Sequence, residues 1–498
     1  MPFARPHIEY KWMVGIVYVL ALFMDLLDMT VINVAIPTLA DEFAAGTTTI
    51  EWVVTGYLLS LALFIPVSGW LGDRFGTKRV FLTALSLFIG GSLLCGLAWD
   101  VESLIAFRVL QGVGGGMLTP VGMTMLFRAF PPSERAAASA ILAIPITVAP
   151  ALGPVLGGYL VDYQDWRWIF FVNIPIGAIA LVAAAALLRE ERQETAGRFD
   201  LPGFLLAGGG LVSLMYALAE AGLHGFDDRE VLLFGAAGLA LLAAFVAVEL
   251  KAAEPMIDVR LLGDRLFGAA NVIQLVGNAA IMGGFFLLPL FLQTQRGQSA
   301  FDVGLIIFPM AVGVAVMAQP AARLYPKVGP RRMMLTGFTG QMVMTGALAL
   351  VGYGTSDWLI AANMFVRGLF FGLLIVPMQA ATFATISPEA TGRASSLFSV
   401  GRQVAASLGV AILATVLTNR LDFHGAALGD PATREAALTA FHDAFIFGAA
   451  FSVPGILACL LVDDAKAAAA GGFHLAEAPA GERGREPVYA EAAEDAAG

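Results

Sequence analysis

Fourteen apolar runs of about 18 or more residues, from 12–36 to 441–462, punctuate the chain. Each is long enough to cross a hydrocarbon core about 30 Å thick as a helix. Composition points the same way: 58% of the 498 residues are hydrophobic and 14% charged, against about 45–50% and about 25% in soluble domains. A soluble globular enzyme is excluded, and the expected fold is all-α: a polytopic membrane protein with 14 transmembrane helices. The first run is too long for the apolar region of a secretory signal, contains Asp25 and Asp28, and is followed by Pro37 rather than a small-residue cleavage site. It reads as a retained span.

An even number of spans places both termini on one side. If that side is the cytoplasm, 21 of the 29 Lys and Arg lie in inner segments, five in outer loops and three within spans, the asymmetry that the positive-inside rule demands. The net charge of -10 is half accounted for by residues 463–498, which hold eight acids against three bases. That Ala-, Gly- and Glu-rich tail is expected to be disordered.

The runs repeat. Arg108 within span 4 has a counterpart, Arg367, 259 residues later, Arg135 has Arg393, and the basic loop around Gly69 to Arg79 is echoed by Gly329-Pro330-Arg331-Arg332. Six spans occupy fewer than 200 residues, so spans 7 and 8 must be an insertion. The expected organisation is an N-terminal six-helix bundle (1–188), two inserted transmembrane helices (189–262), a C-terminal six-helix bundle (263–463) and a cytoplasmic tail (464–498). Parallel six-helix repeats are a transporter design, with substrate held between halves that rock to alternate access.

Ionisable groups within the spans cost about 2.5–3.5 kcal/mol each and are seldom kept without a role. Asp25 and Asp28 are three residues apart on one helix face, and Arg108 falls at a similar depth. Two carboxylates beside one guanidinium can share a proton and titrate as a unit, which is what a proton carrier needs; the alternative is a buried pair that only fixes helix register. Arg367 and Arg402 lie near the midplane with no acid placed to neutralise them, so they either face a cavity or an anionic substrate group, or bond helix-end carbonyls and water. Asn271, Gln274 and Asn278 form a stripe at helical spacing that either lines the cavity or bonds a neighbouring helix. With Asn33 and Gln379 these make up the candidate substrate cavity.

Other chemistries lack support. Cys95 and Cys459 lie inside apolar runs, the five histidines are scattered, and no metal-ligand spacing occurs. Gly112, Gly114, Gly115 and Gly116 have no preceding strand and no Gly-Lys-Ser/Thr sequence, so they read as close helix packing rather than a phosphate loop. Neither an enzyme nor a nucleotide-driven pump is indicated, and no metal or other cofactor is expected.

These residues resemble the major facilitator superfamily, specifically its fourteen-span drug:proton antiporters of the EmrB/QacA type. Gly69-x-x-Gly72-Asp73-Arg74-x-Gly76-x-Lys78-Arg79 is similar to the superfamily's span 2–3 loop signature, which implies an inner gate built from Gly69, Gly72, Asp73, Arg74, Gly76 and Arg79. Arg108-Val109-Leu110-Gln111-Gly112 resembles its span 4 motif, implicated in proton transfer. Pro150 with Gly153-Pro154-Val155-Leu156-Gly157-Gly158 resembles the span 5 antiporter motif, although Ala149 stands where a Gly is often found. The stretch from Leu27-Asp28-Met29 to Pro37 and the stretch from Asp165-Trp166-Arg167 to Asn173-Ile174-Pro175 resemble the group's span 1 and span 6 signatures. The second-half loop departs from the pattern, with Pro326 where the first half has Asp73.

The resemblance implies a proton-coupled antiporter that exports small amphipathic molecules, as in multidrug efflux and antibiotic resistance. It would sit in a bacterial cytoplasmic (inner) membrane, driven by the proton gradient without a cofactor, with protons, small molecules and the lipid bilayer as partners. A periplasmic adaptor protein is compatible with this, and nucleic acid is not a partner. Dedicated export of one metabolite and proton symport or facilitated uptake on the same fold remain as alternatives.

Overall fold

The computed structural model describes residues 9–193, 197–252 and 254–472. Among them lie fourteen helical segments long and apolar enough to cross a membrane. The first half comprises α1 (Tyr10–Glu42), α2 (Thr47–Phe75), α3 (Thr77–Gly96), α4 (Val101–Ala129), α5 (Arg135–Tyr163) and a sixth span broken at Val172 into α6 (Trp168–Phe171) and α7 (Asn173–Leu187). The inserted pair is α8 (Leu201–His224) and α9 (Arg229–Glu249). The second half comprises α10 (Arg265–Thr294), α11 (Ala300–Val328), α12 (Pro330–Ala347), α13 (Asp357–Ala384), α14 (Thr391–Phe423) and a last span made of α15 (Arg434–Ala450) and α16 (Val453–Cys459). Both described ends lie on one face, called here the terminal face; the opposite one is the far face.

Local chemistry sets the helix starts. Asp100 and Ser103 form a reciprocal capping box at α4, and Asp228 and Asp264 accept backbone N–H groups at the starts of α9 and α10. The repeat shows in the backbone as well: Gly76 between α2 and α3 and Gly329 between α11 and α12 both hold positive φ, 99° and 85°, a conformation glycine adopts without strain. Several helices outrun their apolar stretches. The 33 residues of α1 span about 50 Å at 1.5 Å per residue, so it tilts or projects beyond a core of about 30 Å.

Close packing rests on small residues. A Cβ at Gly112 or Gly116 would lie 2.6 Å from a carbonyl oxygen of α2, and one at Gly114 2.5 Å from a carbonyl of α3. In α5, which continues through Pro145, Pro150 and Pro154, Gly153 lies against Thr30 and Gly157 against the Val31 carbonyl of α1. Gly158 faces the start of α11, where Val155 also meets Gly304. The span 5 residues thus sit where the two halves touch.

The inserted pair is attached asymmetrically. Leu211, Met215, Leu218 and Ala221 of α8 share one apolar cluster with Ala62 of α2 and Ala411 of α14, so α8 lies along the seam between the halves. Much of α9 is exposed, including Leu232, Leu233, Phe234 and Leu239.

One expectation needs correction. The tail does not become irregular at 464: residues Asp464–Gly471 form a further helix, α17, with Ala467 buried. Asp463 caps α17, while the Asp464 carboxylate accepts the Arg331 N–H at 2.8 Å; burial holds that carboxyl above its ordinary range. Residues 473–498, the remainder of the expected disorder, lie outside the described residues.

Candidate functional site

Helix α1 turns Asp25 and Asp28 inward, 3% and 1% exposed, into two different environments. Asp28 accepts from Arg108 at 2.6 Å, Gln111 Nε2 at 2.9 Å and Asn173 Nδ2 at 2.7 Å. Arg108 also donates to Gln111 Oε1 (2.8 Å) and to the Val53 carbonyl (3.2 Å), with the Tyr57 ring 4.1 Å from its guanidinium carbon. One cation and one anion are therefore held by α1, α2, α4 and α7 together. Breaking such a pair from one side costs about 3–5 kcal/mol.

Asp25 has no cation within ion-pair distance among the described residues. It accepts from the Tyr57 hydroxyl at 2.9 Å and from Thr119 Oγ1 at 3.4 Å. The sequence places both carboxylates on one face and the structure does too, but Arg108 reaches only Asp28. Three residues amount to about 4.5 Å along the helix, and Arg108 is anchored at the far side of that interval by Val53 and Gln111.

The second half contributes a cleft lined by Gln274, Asn278, Gln379, Arg402, Phe371 and Phe398, with Ile146 of α5 closing it. At about 30 Å³ it has room for roughly one water. Gln274 and Asn278 donate across to the Phe398 and Arg402 carbonyls of α14, at 3.2 and 2.9 Å. Gln274 Oε1 and Gln379 Oε1 are buried without partners. The Arg402 guanidinium makes no hydrogen bond or ion pair among the described residues.

Three of the expected cavity residues lie elsewhere. Arg367 is buried inside the second half, donating through Nε to Gln341 Oε1 at 3.0 Å and packed on Gly284. The repeat explains this: Gly284 of α10 lies against Arg367 as Asp28 of α1 lies against Arg108, so the second half has the cation without its carboxylate. Asn271 donates to its own helix at Phe267, and Asn33, which is exposed, to Met29.

At the terminal face the halves close. Asp73 pairs with Arg128 at 2.8 Å and lies against Gly392 at the start of α14. Gly69 N–H donates to Ser396 Oγ at 3.1 Å, and Ser68 Oγ lies 3.2 Å from the same oxygen. Arg128 donates to the Pro388 carbonyl (2.9 Å), while Arg135 donates to the Phe383, Ala384 and Ile386 carbonyls. Arg135 thus holds the C-terminal carbonyls of α13 in the other half, where the helix dipole favours cations, and Arg128 holds the connection that follows it. Gly72 and Gly76 shape the α2–α3 corner. Arg74, expected to work beside Asp73, is exposed and makes no ion pair or side-chain hydrogen bond among the described residues, and Arg79 is exposed beside Glu190 at 3.6 Å.

Sequence reasoning missed Tyr57, Thr119, Arg128, Arg135 and Asn173 as site residues. Gln111 and Asn173 were legible as members of the span 4 and span 6 stretches, and Gln111 lies one turn from Arg108. Tyr57 and Thr119 carry no charge and follow no spacing that separates them from packing residues. No group of three or more His, Cys, Asp or Glu suited to a metal occurs among the described residues.

The family model described as Major Facilitator Superfamily matches residues 18–410 and, in a second match, 285–481. A multidrug resistance protein B homolog of Mycobacterium tuberculosis is 38% identical over 410 residues, covering 81% of this chain and 75% of the relative. An uncharacterized MFS-type transporter, YhcA, of Bacillus subtilis is 32% identical over 415 residues, covering 83% and 78%. Among solved structures, the human organic anion transporter MFSD10 superposes with a TM-score of 0.62 at 15% identity, covering 91% of this chain and all of that one, a likeness of fold alone.

Proposed function

The chain belongs to the major facilitator superfamily, and from that premise we propose that it is a proton-coupled antiporter exporting small amphipathic molecules by alternating access. The observation that carries the reading is the contrast within α1. Asp28 is neutralised by Arg108 and fixed by three donors, whereas Asp25, equally buried, has only two hydroxyl partners. A hydroxyl can donate to a carboxylate and accept from a carboxylic acid, so Tyr57 and Thr119 can serve Asp25 in either protonation state. Asp25 is then the exchangeable proton site, and Asp28 with Arg108 is the frame that positions it.

The coupling follows from population shift. A proton or a substrate moves the halves only so far as it binds one arrangement better than the other, and Asp25 sits between the α1 frame and the Arg402 cleft of the second half. The positive-inside asymmetry supports a terminal face that looks into the cytoplasm. The contacts around Asp73, Arg128 and Ser396 then hold the inner gate shut in this arrangement. The driving force is the proton gradient, and no cofactor enters the cycle. The M. tuberculosis relative's name supports multidrug efflux as the biological role.

The test uses inside-out vesicles with an imposed proton gradient and a pH-sensitive dye, challenged with amphipathic compounds of differing charge. Compound-dependent proton release is expected for the wild-type protein and its loss for Asp25→Asn. Proton release that persists at full size in Asp25→Asn overturns the assignment of the proton site, and compound flux independent of the gradient overturns antiport.

A further inference from the structure

The inserted hairpin is rooted at the terminal face by two neighbouring acids. Asp200 caps α8, its Oδ1 accepting the Gly203 N–H at 2.9 Å. Glu249, the last residue of α9, is wholly buried, and its Oε1 accepts the Ile257 N–H at 3.2 Å. Each carboxyl has a second oxygen, Asp200 Oδ2 and Glu249 Oε2, that is buried without a partner. The two groups meet across Gly203: a Cβ there would collide with Asp200 Oδ2 and would lie 3.0 Å from Glu249 Oε1.

No cation pairs with either acid among the described residues. Asp258, next to the donor Ile257, is a third acid, and its carboxylate accepts the Arg260 N–H at 3.1 Å. The Arg260 guanidinium is committed to the Leu250 and Ala252 carbonyls, at 2.9 and 2.8 Å. Lys251 and Arg198 are exposed, and the Arg198 N–H donates to Glu254 Oε2 at 3.0 Å. Of the charged groups on the packed helices, Asp73 of α2 is paired with Arg128 at 2.8 Å, Arg74 is exposed, and Arg393 of α14 makes no ion pair.

We propose that Asp200 and Glu249 bind one proton between them, and that this proton latches the root of the inserted hairpin to the α2–α3 corner. The site goes beyond the antiport reading and does not rest on it. A carboxyl donating to a carboxylate satisfies both orphan oxygens at once, whereas without the proton two buried anions face each other. Such a pair titrates as a unit. A metal ion suits the site less well, since it asks for more donors than these two carboxyls offer, and no group of three or more His, Cys, Asp or Glu suited to a metal occurs among the described residues. The connections that carry the acids lie on α2. The Trp70 indole N–H donates to the Gly197 carbonyl at 3.1 Å, and Met256 and Ile257 share an apolar cluster with Val67. Just upstream, the Gln193 N–H donates to the Asp73 carbonyl at 3.1 Å and the Thr77 N–H to the Glu191 carbonyl at 2.9 Å. Losing the proton therefore loosens a segment seated on the corner that carries the Asp73 gate contact. The inserted pair is thereby a sensor of pH at the terminal face.

The test uses purified full-length protein carrying Asp25→Asn, so that a proton on α1 is not counted, in choline buffer free of metal ions. Infrared difference spectra with and without Glu249→Gln should show one carboxylic C=O band at neutral pH that disappears on alkalinisation. Asp200→Asn keeps the cap and gives Glu249 an amide donor, so it should remove the band while the protein stays folded. Amide hydrogen exchange of residues 200–206 and 254–259, corrected for intrinsic rates, should be about tenfold faster above this transition than below it. Glu249→Gln, whose amide donates to Asp200 at any pH, should stay slow throughout. Absence of the band, or its survival in Asp200→Asn, overturns the shared proton. A band bleached by sodium or magnesium at fixed pH assigns the pair to a metal and overturns it too. A band that titrates while exchange stays level overturns the latch. None of these outcomes reads transport, so the site and the antiport reading fail separately.

Discussion

Two aspartates one helical turn apart show how far environment outweighs residue type. Asp28 is balanced, so removing its charge leaves Arg108 buried and uncompensated. Asp28→Asn should lower stability in detergent by about 3–5 kcal/mol, seen as an earlier thermal transition, and the double variant Asp28→Asn with Arg108→Gln should recover much of that loss. Asp25→Asn removes no ion pair, so it should leave the transition within about 1 kcal/mol of wild type while losing proton coupling. An equal loss of stability in both single variants would show that the two sites are not distinct. The sequence made the carboxylates and Arg108 legible because charge inside an apolar run is conspicuous. It could not show which carboxylate the guanidinium reaches, since that depends on where the neutral anchors Val53, Gln111 and Asn173 stand, and neutral groups leave no signal against an apolar background.

Helices are legible at the level of their apolar length and opaque at their crossings. Alternation of charge along the chain fixes fourteen spans, yet the break at Val172 and the helix at Asp464–Gly471 follow no change in hydropathy. Asn173 at the start of α7 reaches Asp28, and the extra helix rests on a cap at Asp463 and on Asp464 beside Arg331, all polar contacts. Glycine in a helix is ambiguous for the same reason, and α14 supplies a matched pair. A Cβ at Gly409 would collide with the Ala279 carbonyl oxygen of α10, whereas one at Gly401 meets nothing within 4 Å. Gly409→Ala must push two backbones apart and should destabilise by about 1–3 kcal/mol. Gly401→Ala should stabilise by about 0.5–1 kcal/mol through helix propensity. Thermal unfolding of the two variants in one detergent gives the sign of each, and two effects of the same sign would refute the assigned crossing.

At the scale of the molecule the informative surface is the seam between the halves, which a repeat in the sequence locates but cannot set in any one arrangement. The same duplication that made the architecture legible hides its asymmetry: Asp73 has Pro326 as its counterpart and Asp28 has Gly284, so the gate contact and the proton frame belong to the first half while the open guanidinium belongs to the second. Rocking must break what holds the terminal face closed. The Ser68 and Ser396 hydroxyls lie 3.2 Å apart across that face, close enough for paired cysteines to bridge with little backbone movement. The native thiols Cys95 and Cys459 are buried, so they should not compete. The double variant Ser68→Cys with Ser396→Cys should transport when reduced, stop when oxidised and resume on reduction. Either single variant should be indifferent to oxidant. If the halves alternate as rigid bodies, the bridge must block transport completely, because one covalent tie at the closed face forbids the opposite arrangement; flux that continues through fully oxidised protein would mean that substrate crosses without opening this face.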